Sequence, residues 1–256
     1  VAPILYEKCL RCHRAGEMAP MSLRNYSEAR PWAKAIKEKV VKREMPPWFA
    51  DPAHGEFSNN PSLTEEEIAT IVAWVDEGAV RGNPKDMPEY PGFTEGWQNG
   101  EPDQVILLPE VKIPAEGSDI FPNLMFKAEV DDSRWIQSVE IRPSNRDVAH
   151  HVVVFTNSFG GGGGMDSFDV LGTWAVGTEP SVYPEGMGRR IKDGQRLMAN
   201  MHYHPNGTAT TDITKIGLYY GDGELKDEIS ATLGGTFGFR IPAGAANHTV
   251  VESWQV

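Results

Sequence analysis

Val148-Ala149-His150-His151-Val152-Val153-Val154-Phe155-Thr156 is a run of β-branched and aromatic residues interrupted by two adjacent histidines. Such a run, followed by the five glycines at 160–164, reads as one strand of a β domain. The same character returns at 105–108, 135–141, 196–204, 215–220 and 249–256, with Pro205-Asn206-Gly207 and Gly221-Asp222-Gly223 as turns. Many short strands at this spacing predict an all-β sandwich, jelly-roll-like. The glycine run cannot pack a core and predicts a mobile loop.

Histidine is concentrated in two of these strands. Four of the seven histidines are His150, His151, His202 and His204. Imidazole suits copper, zinc and iron. Alternation puts His202 and His204 on one face and makes His150 and His151 diverge. The adjacent pair reaches one metal if the strand bulges there, or if ring nitrogens close to the backbone do the ligation. The opposing expectation is a set of histidines satisfied by hydrogen bonds inside the sandwich.

Upstream the period changes. Ser27 is a candidate cap for a helix with Pro31 in its first turn and Trp32, Ile36 and Val40 on one stripe. Met45-Pro46-Pro47-Trp48 stops it. Thr64 with Glu67 forms a capping box before Ile68, Ile71, Val72 and Val75, and Gly78 ends that helix. Ahead of these helices lies Cys9-Leu10-Arg11-Cys12-His13, which holds both cysteines of the chain. At C-x-x-C-H spacing two thioethers fix a porphyrin and the histidine supplies an axial ligand, so haem c is expected. A zinc half-site needs further ligands nearby, and a redox dithiol prefers a βαβ context. The second axial ligand comes from Met18, Met21, Met45 or His54. Met45, on a rigid loop before two prolines, is the favoured choice.

Charge separates the two parts. Residues 1–88 carry 12 Lys+Arg against 13 Asp+Glu, a net of −1, which leaves −11 of the total −12 for the rest. The acidic balance argues against nucleic acid and anionic lipid as partners. No apolar run is long enough to span a bilayer. A Pro/Gly-rich stretch, including Pro84, Pro88, Pro91, Gly92, Gly96, Gly100 and Pro102, reads as a linker. The expected organisation is α + β multidomain: an all-α cytochrome c domain at 1–83, a linker at 84–104 and a β-sandwich at 105–256. Haem c is attached outside the cytoplasm, so a periplasmic or extracellular location is expected, with an export signal upstream of Val1.

The run Arg142-Pro143-Ser144-Asn145-Arg146-Asp147-Val148-Ala149-His150-His151-Val152-Val153-Val154-Phe155, with Tyr183-Pro184-Glu185-Gly186 and Leu197-Met198-Ala199-Asn200-Met201-His202-Tyr203, resembles the copper type II, ascorbate-dependent monooxygenases. Gly16-Glu17-Met18-Ala19-Pro20-Met21-Ser22-Leu23, Arg43-Glu44-Met45-Pro46-Pro47-Trp48 and Gly55-Glu56-Phe57-Ser58-Asn59 are similar to the bacterial branch in which a cytochrome c domain comes first. The resemblance implies that His150, His151 and His202 hold one copper that handles electrons, and that His204 has no counterpart. It also implies a second copper, where O2 and substrate react, on a His-x-His pair and a methionine in a domain expected beyond Val256. The disulfides of the animal enzymes have no cysteines here.

The function expected on these grounds is the electron-transfer part of a copper monooxygenase. Cys9, Cys12, His13 and Met45 hold haem c, which takes electrons from a donor protein or small reductant. The three-histidine copper then serves C–H hydroxylation of a small molecule or peptide. The rival expectations are an extracytoplasmic electron carrier or multihaem-assembly cytochrome whose β domain is structural or ligand-binding, and a binding module with haem as a sensor.

Overall fold

The computed structural model describes residues 1–15, 17, 19–48, 50–57, 59–93, 96–156, 169–231, 238–251 and 253, without the side chain of Pro52. The chain divides into two compact units, Val1–Thr94 and Glu95–Val256. Strands arranged in sheets predominate, accompanied by a few short helices.

In the first unit α1 (Ala2–Ile4) runs into a π-helical turn at Leu5–Cys9. Next come α2 (Tyr26–Ala29), a 3-10 turn at Arg30–Trp32 and α3 (Ala33–Val41). The cap of α2 is Asn25, whose side chain accepts from the Glu28 N–H, and not Ser27 as expected. Asn25 has the extended backbone a cap requires, whereas Ser27 lies inside the helix and donates to Asn25 Oδ1. On α3 Ile36 and Val40 are buried, but Trp32 is 43% exposed and drops out of the expected stripe. The 3-10 turn ahead of α3 changes the angular step per residue and rotates it outward.

The longest helix, α4 (Glu65–Asp76), starts on the expected capping box, Thr64 accepting from the Glu67 N–H and Glu67 from the Thr64 N–H. Past its end, Gly78 takes φ +91°, a left-handed turn in which a side chain would be strained. Helices this short are marginal in isolation. They are held by a shared cluster of Leu5, Leu10, Leu23, Ile36, Val40, Leu63 and Ile71. Each such side chain, fully buried, contributes roughly 1.5–3 kcal/mol.

The second unit contains β1 (Gln104–Leu107), β2 (Val111–Ile113), β3 (Asn123–Lys127), β4 (Ile136–Arg142), β5 (Ala149–Phe155), β6 (Val170–Ala175), β7 (Ser181–Val182), β8 (Met187–Gly188), β9 (Arg196–Tyr203), β10 (Thr210–Asp212), β11 (Lys215–Tyr220) and β12 (Asp227–Glu228). Two four-stranded antiparallel sheets, β1-β11-β4-β7 and β3-β9-β5-β6, are accompanied by the small pairs β10-β2 and β12-β8. Both sheets turn apolar residues into one cluster. Ile136, Ile141, Ile216 and Leu218 come from the first sheet, and Val152, Val154, Leu171, Leu197 and Met201 from the second. The sheets approach closely at Gly172, where an added Cβ would lie 3.1 Å from Val139 Cγ1.

The strand expected at 249–256 is absent among the described residues of that stretch. Val250 and Val251 are exposed there, so apolar sequence without a sheet edge to join does not become a strand. The glycines at 160–164 lie outside the described residues. Within 84–104, Tyr90 and Phe93 pack against the helical cluster. In the β unit, Trp97 lies against Gly217, and the N–H groups of Gln98 and Asn99 donate to Glu140.

Candidate metal centre

On β9 the residues alternate between the core and the opposite face of the sheet. Leu197, Ala199, Met201 and Tyr203 are fully buried in the sandwich, which leaves Met198, Asn200 and His202 on the other face. On β5 Val152 and Val154 take the core, so His151 and Val153 share the face of His202. Alternation alone would send His150 into the sandwich. The register prevents it: Ala149 pairs with Tyr203 and His151 with His202, so His150 is one extra residue in a bulge. A bulge re-aims the inserted side chain. Here it turns two consecutive histidines toward one place.

The three imidazoles form a compact group. His150, His151 and His202 each offer a ligand atom within 4.8 Å of the others. Nδ1 of His150 and Nδ1 of His151 are 3.2 Å apart. The ring centroids of His150 and His151 lie 4.5 and 4.9 Å from that of His202. Burial and the neighbouring His202 hold both His150 and His151 below the ordinary imidazole value. Neutral rings with free lone pairs are what a metal requires.

His202 supplies the test of fit. Its Nε2–H donates to Asp119 Oδ2 at 2.7 Å, so in the neutral ring Nδ1 carries the lone pair. That Nδ1 is buried and has no hydrogen-bond partner. An orphaned acceptor beside two further imidazole nitrogens fits a metal ion, and the all-imidazole donor set suits copper, zinc or iron. Phe121 stacks on the other side of His202, ring centroids 4.3 Å apart.

Long-range contacts hold the two strand ends that carry these histidines. Asp212 is 1% exposed, and its carboxylate accepts from Ser144 Oγ, the Asn145 N–H, Tyr203 Oη and Thr214 Oγ1. Ser144 and Asn145 precede β5, while Tyr203 lies between His202 and His204. One buried carboxylate, fully satisfied, thus ties the start of β5 to the end of β9. The His204 N–H adds a bond to the Val148 carbonyl at 2.8 Å. Burial and the Asp212 charge raise the Tyr203 phenol, so it remains a donor. His204 itself stands outside the cluster, with a side chain 65% exposed and its Nδ1 2.6 Å from Asp119 Oδ1.

The sequence reading named the histidines and missed Asp119, Phe121 and Asp212. Asp119-Ile120-Phe121 carries a weak alternating signal, and Asp212 carries none.

In the helical unit Cys9 and Cys12 are both free thiols. Burial pushes the Cys9 thiol up to about 12 and raises Cys12 as well, which is poor chemistry for a redox dithiol. His13 Nδ1 donates to the Met21 carbonyl at 3.2 Å, leaving Nε2 as its free ligand nitrogen. Met21 packs on the apolar cluster, whereas the His54 side chain is 82% exposed near Asp51. Met18 lies outside the described residues. A cavity of about 700 Å³ is lined by Met45, Trp48, Phe57, Val40, Leu63 and Ile68, among others. That volume is in the range of cofactor pockets. Among the described residues that line it Met45 is present, and Cys9, Cys12 and His13 are not. Cys9 packs against the cluster that lends Val40 and Leu63 to the cavity wall. Among the described residues, therefore, the two thiols and the His13 imidazole do not share one lining with the Met45 thioether.

No family model matches the sequence. The chain is similar to peptidyl-glycine alpha-amidating monooxygenase A of Xenopus laevis, 31% identical over 100 residues. The match covers 34% of this chain, which spans about 10% of the length of that relative. No helix among the described residues is long and apolar enough to cross a membrane.

Proposed function

We propose that this chain is the electron-transfer part of a copper-dependent monooxygenase, with His150, His151 and His202 as a three-imidazole copper site. The observation that carries the reading is the group of three imidazoles, His150, His151 and His202, in which the buried Nδ1 of His202 has no hydrogen-bond partner. The similarity to the Xenopus enzyme supports the choice of copper among the metals that imidazole binds. Copper bound there would supply one-electron chemistry. The residues of the chain fix the three rings, favour the neutral form of His150 and His151 and hold the His202 Nε2–H on Asp119. The group lies on the face of the sheet turned away from the sandwich core, and His150 is exposed. Hydroxylation of a C–H bond by O2, at a second copper, belongs to the same proposal.

The helical unit is proposed to be a small cytochrome c, with haem attached at Cys9 and Cys12 and ligated by His13 and Met45. Such a group would supply electrons to the copper in place of a diffusible reductant. What supports it is the C-x-x-C-H spacing, the His13 bond to the Met21 carbonyl and the cavity that Met45 lines. A periplasmic or extracellular location follows from the same motif and is part of the proposal.

Metal analysis of the chain matured with haem-ligation machinery tests both parts. One copper and one haem resistant to acid acetone are expected, the copper disappearing in His150→Ala, His151→Ala and His202→Ala. A copper-free β unit beside an intact haem would leave an electron carrier, and extractable haem would remove the cytochrome.

A further inference from the structure

We infer that Asp119 is a positioning residue for the three-histidine centre, a carboxylate that orients His202 toward the metal and is steadied by His204. The inference rests on the copper reading above. Its origin is a short continuation of a sheet edge. Ile120 forms an isolated bridge with Tyr203 in the register of the β3–β9 ladder, in which Asn123 pairs with Asn200. The ladder continues through both bonds between Ile120 and Tyr203 and the Met201 N–H to the Pro122 carbonyl, each 3.0 Å.

That register places Phe121 opposite His202 and Asp119 opposite His204. In an antiparallel pair a directly opposite residue is in contact, and a diagonal one lies within reach of a long side chain. Both relations are used. Phe121 stacks on the His202 ring, while Asp119 spans its direct neighbour and its diagonal one, Oδ1 to His204 and Oδ2 to His202.

The effect on His202 is specific. The Asp119 bond puts the proton on Nε2, so the lone pair is on Nδ1, the buried nitrogen without a partner. The Phe121 stack limits rotation of the ring. A carboxylate behind a ligating imidazole fixes its tautomer and raises its basicity. A negative charge at this distance also favours the more highly charged ion, cupric over cuprous. His204 binds the second carboxylate oxygen, which stops Asp119 from swinging away. Its exposed ring needs no other role.

Copper titrations of the full chain with Cu(II) and Cu(I), together with the reduction potential of the bound copper, test this. Asp119→Asn keeps the shape of the side chain and removes its charge. Cupric affinity should fall about ten- to a hundred-fold. Cuprous affinity should fall less, raising the potential by about 59 mV for each tenfold difference. Asp119→Glu should recover part of both, and His204→Gln should stay closer to wild type than Asp119→Asn. Asp119→Ser carries the same expectation should the amide disturb the bridge at Ile120. Wild-type affinities and potential in Asp119→Asn and Asp119→Ser, with the site lost in His202→Ala, would overturn the role of Asp119 and leave the copper site standing. Wild-type protein whose copper uptake does not depend on His202 would overturn the copper reading, and this inference with it.

Discussion

The helical and β units place their candidate chemistry in opposite ways. In the first unit, three proposed haem-binding residues fall within Cys9-Leu10-Arg11-Cys12-His13, and only Met45 comes from a distance. In the second, the candidate centre draws on Asp119 and Phe121 at a sheet edge, His150 and His151 in a bulge and His202 on a third strand. A local motif survives loose packing around it. A site assembled across strands depends on the register of every ladder between its parts. The second unit accordingly ties its strand ends with the Asp212 network, while the helices of the first share an apolar cluster.

The most severe way to break this comparison is to remove each centre in turn. Cys9→Ala should abolish stable haem attachment and leave copper uptake unchanged, while His202→Ala should do the reverse. Haem extraction and metal analysis of the two variants check it, and joint loss in either would mean that the centres are not independent.

Core truncation comes next in size. Leu218 is fully buried, so Leu218→Ala should destabilise the β unit by about 2–5 kcal/mol and weaken copper binding through the register. Denaturant unfolding followed by copper titration measures both. Unaltered copper affinity in a protein destabilised to that extent would mean that the site does not depend on sandwich packing.

A smaller effect is expected in the helical unit. Thr64→Ala removes the cap of α4 and should cost about 1 kcal/mol, with haem attachment retained. Loss of attachment in that variant would contradict the local character assigned to the motif.

The smallest effect concerns acid. Burial alone would raise the Asp169 carboxyl. The Ala231 N–H, the Thr156 hydroxyl and the Arg189 guanidinium outweigh it and hold the group below its ordinary value of 3.8. A folded value below the unfolded one stabilises the fold above the unfolded value. That contribution disappears as pH falls through the lower, folded value. Asp169→Asn should therefore flatten the loss of amide-exchange protection in β6 below pH 3.8. An acid profile identical to wild type would show that the carboxylate is not coupled to folding.

Sequence alone was sufficient for several features whose controlling interaction is short in range. The Thr64 capping box and the apolar runs that became β4, β5, β9 and β11 are all readable within a few residues. Short-range reading also had its failures. Ser27 was an equally good cap by type as Asn25, and the backbone chose between them; the run at 249–256 had strand composition, and its described residues form no strand.

The candidate centre was half legible. Adjacent histidines on one strand and a third on another are a metal signal by residue type. Strict alternation would nevertheless have pointed His150 away from His151. The pairing of β5 with β9 decided that His150 is inserted as a bulge, the fold around Asp212 brought it to Asn145, and the continuation of the β3–β9 ladder put Asp119 behind His202. These are contacts between residues far apart in the chain. No local preference encodes them, because a register is selected by the packing of the whole sandwich face and not by the residues it happens to bring together.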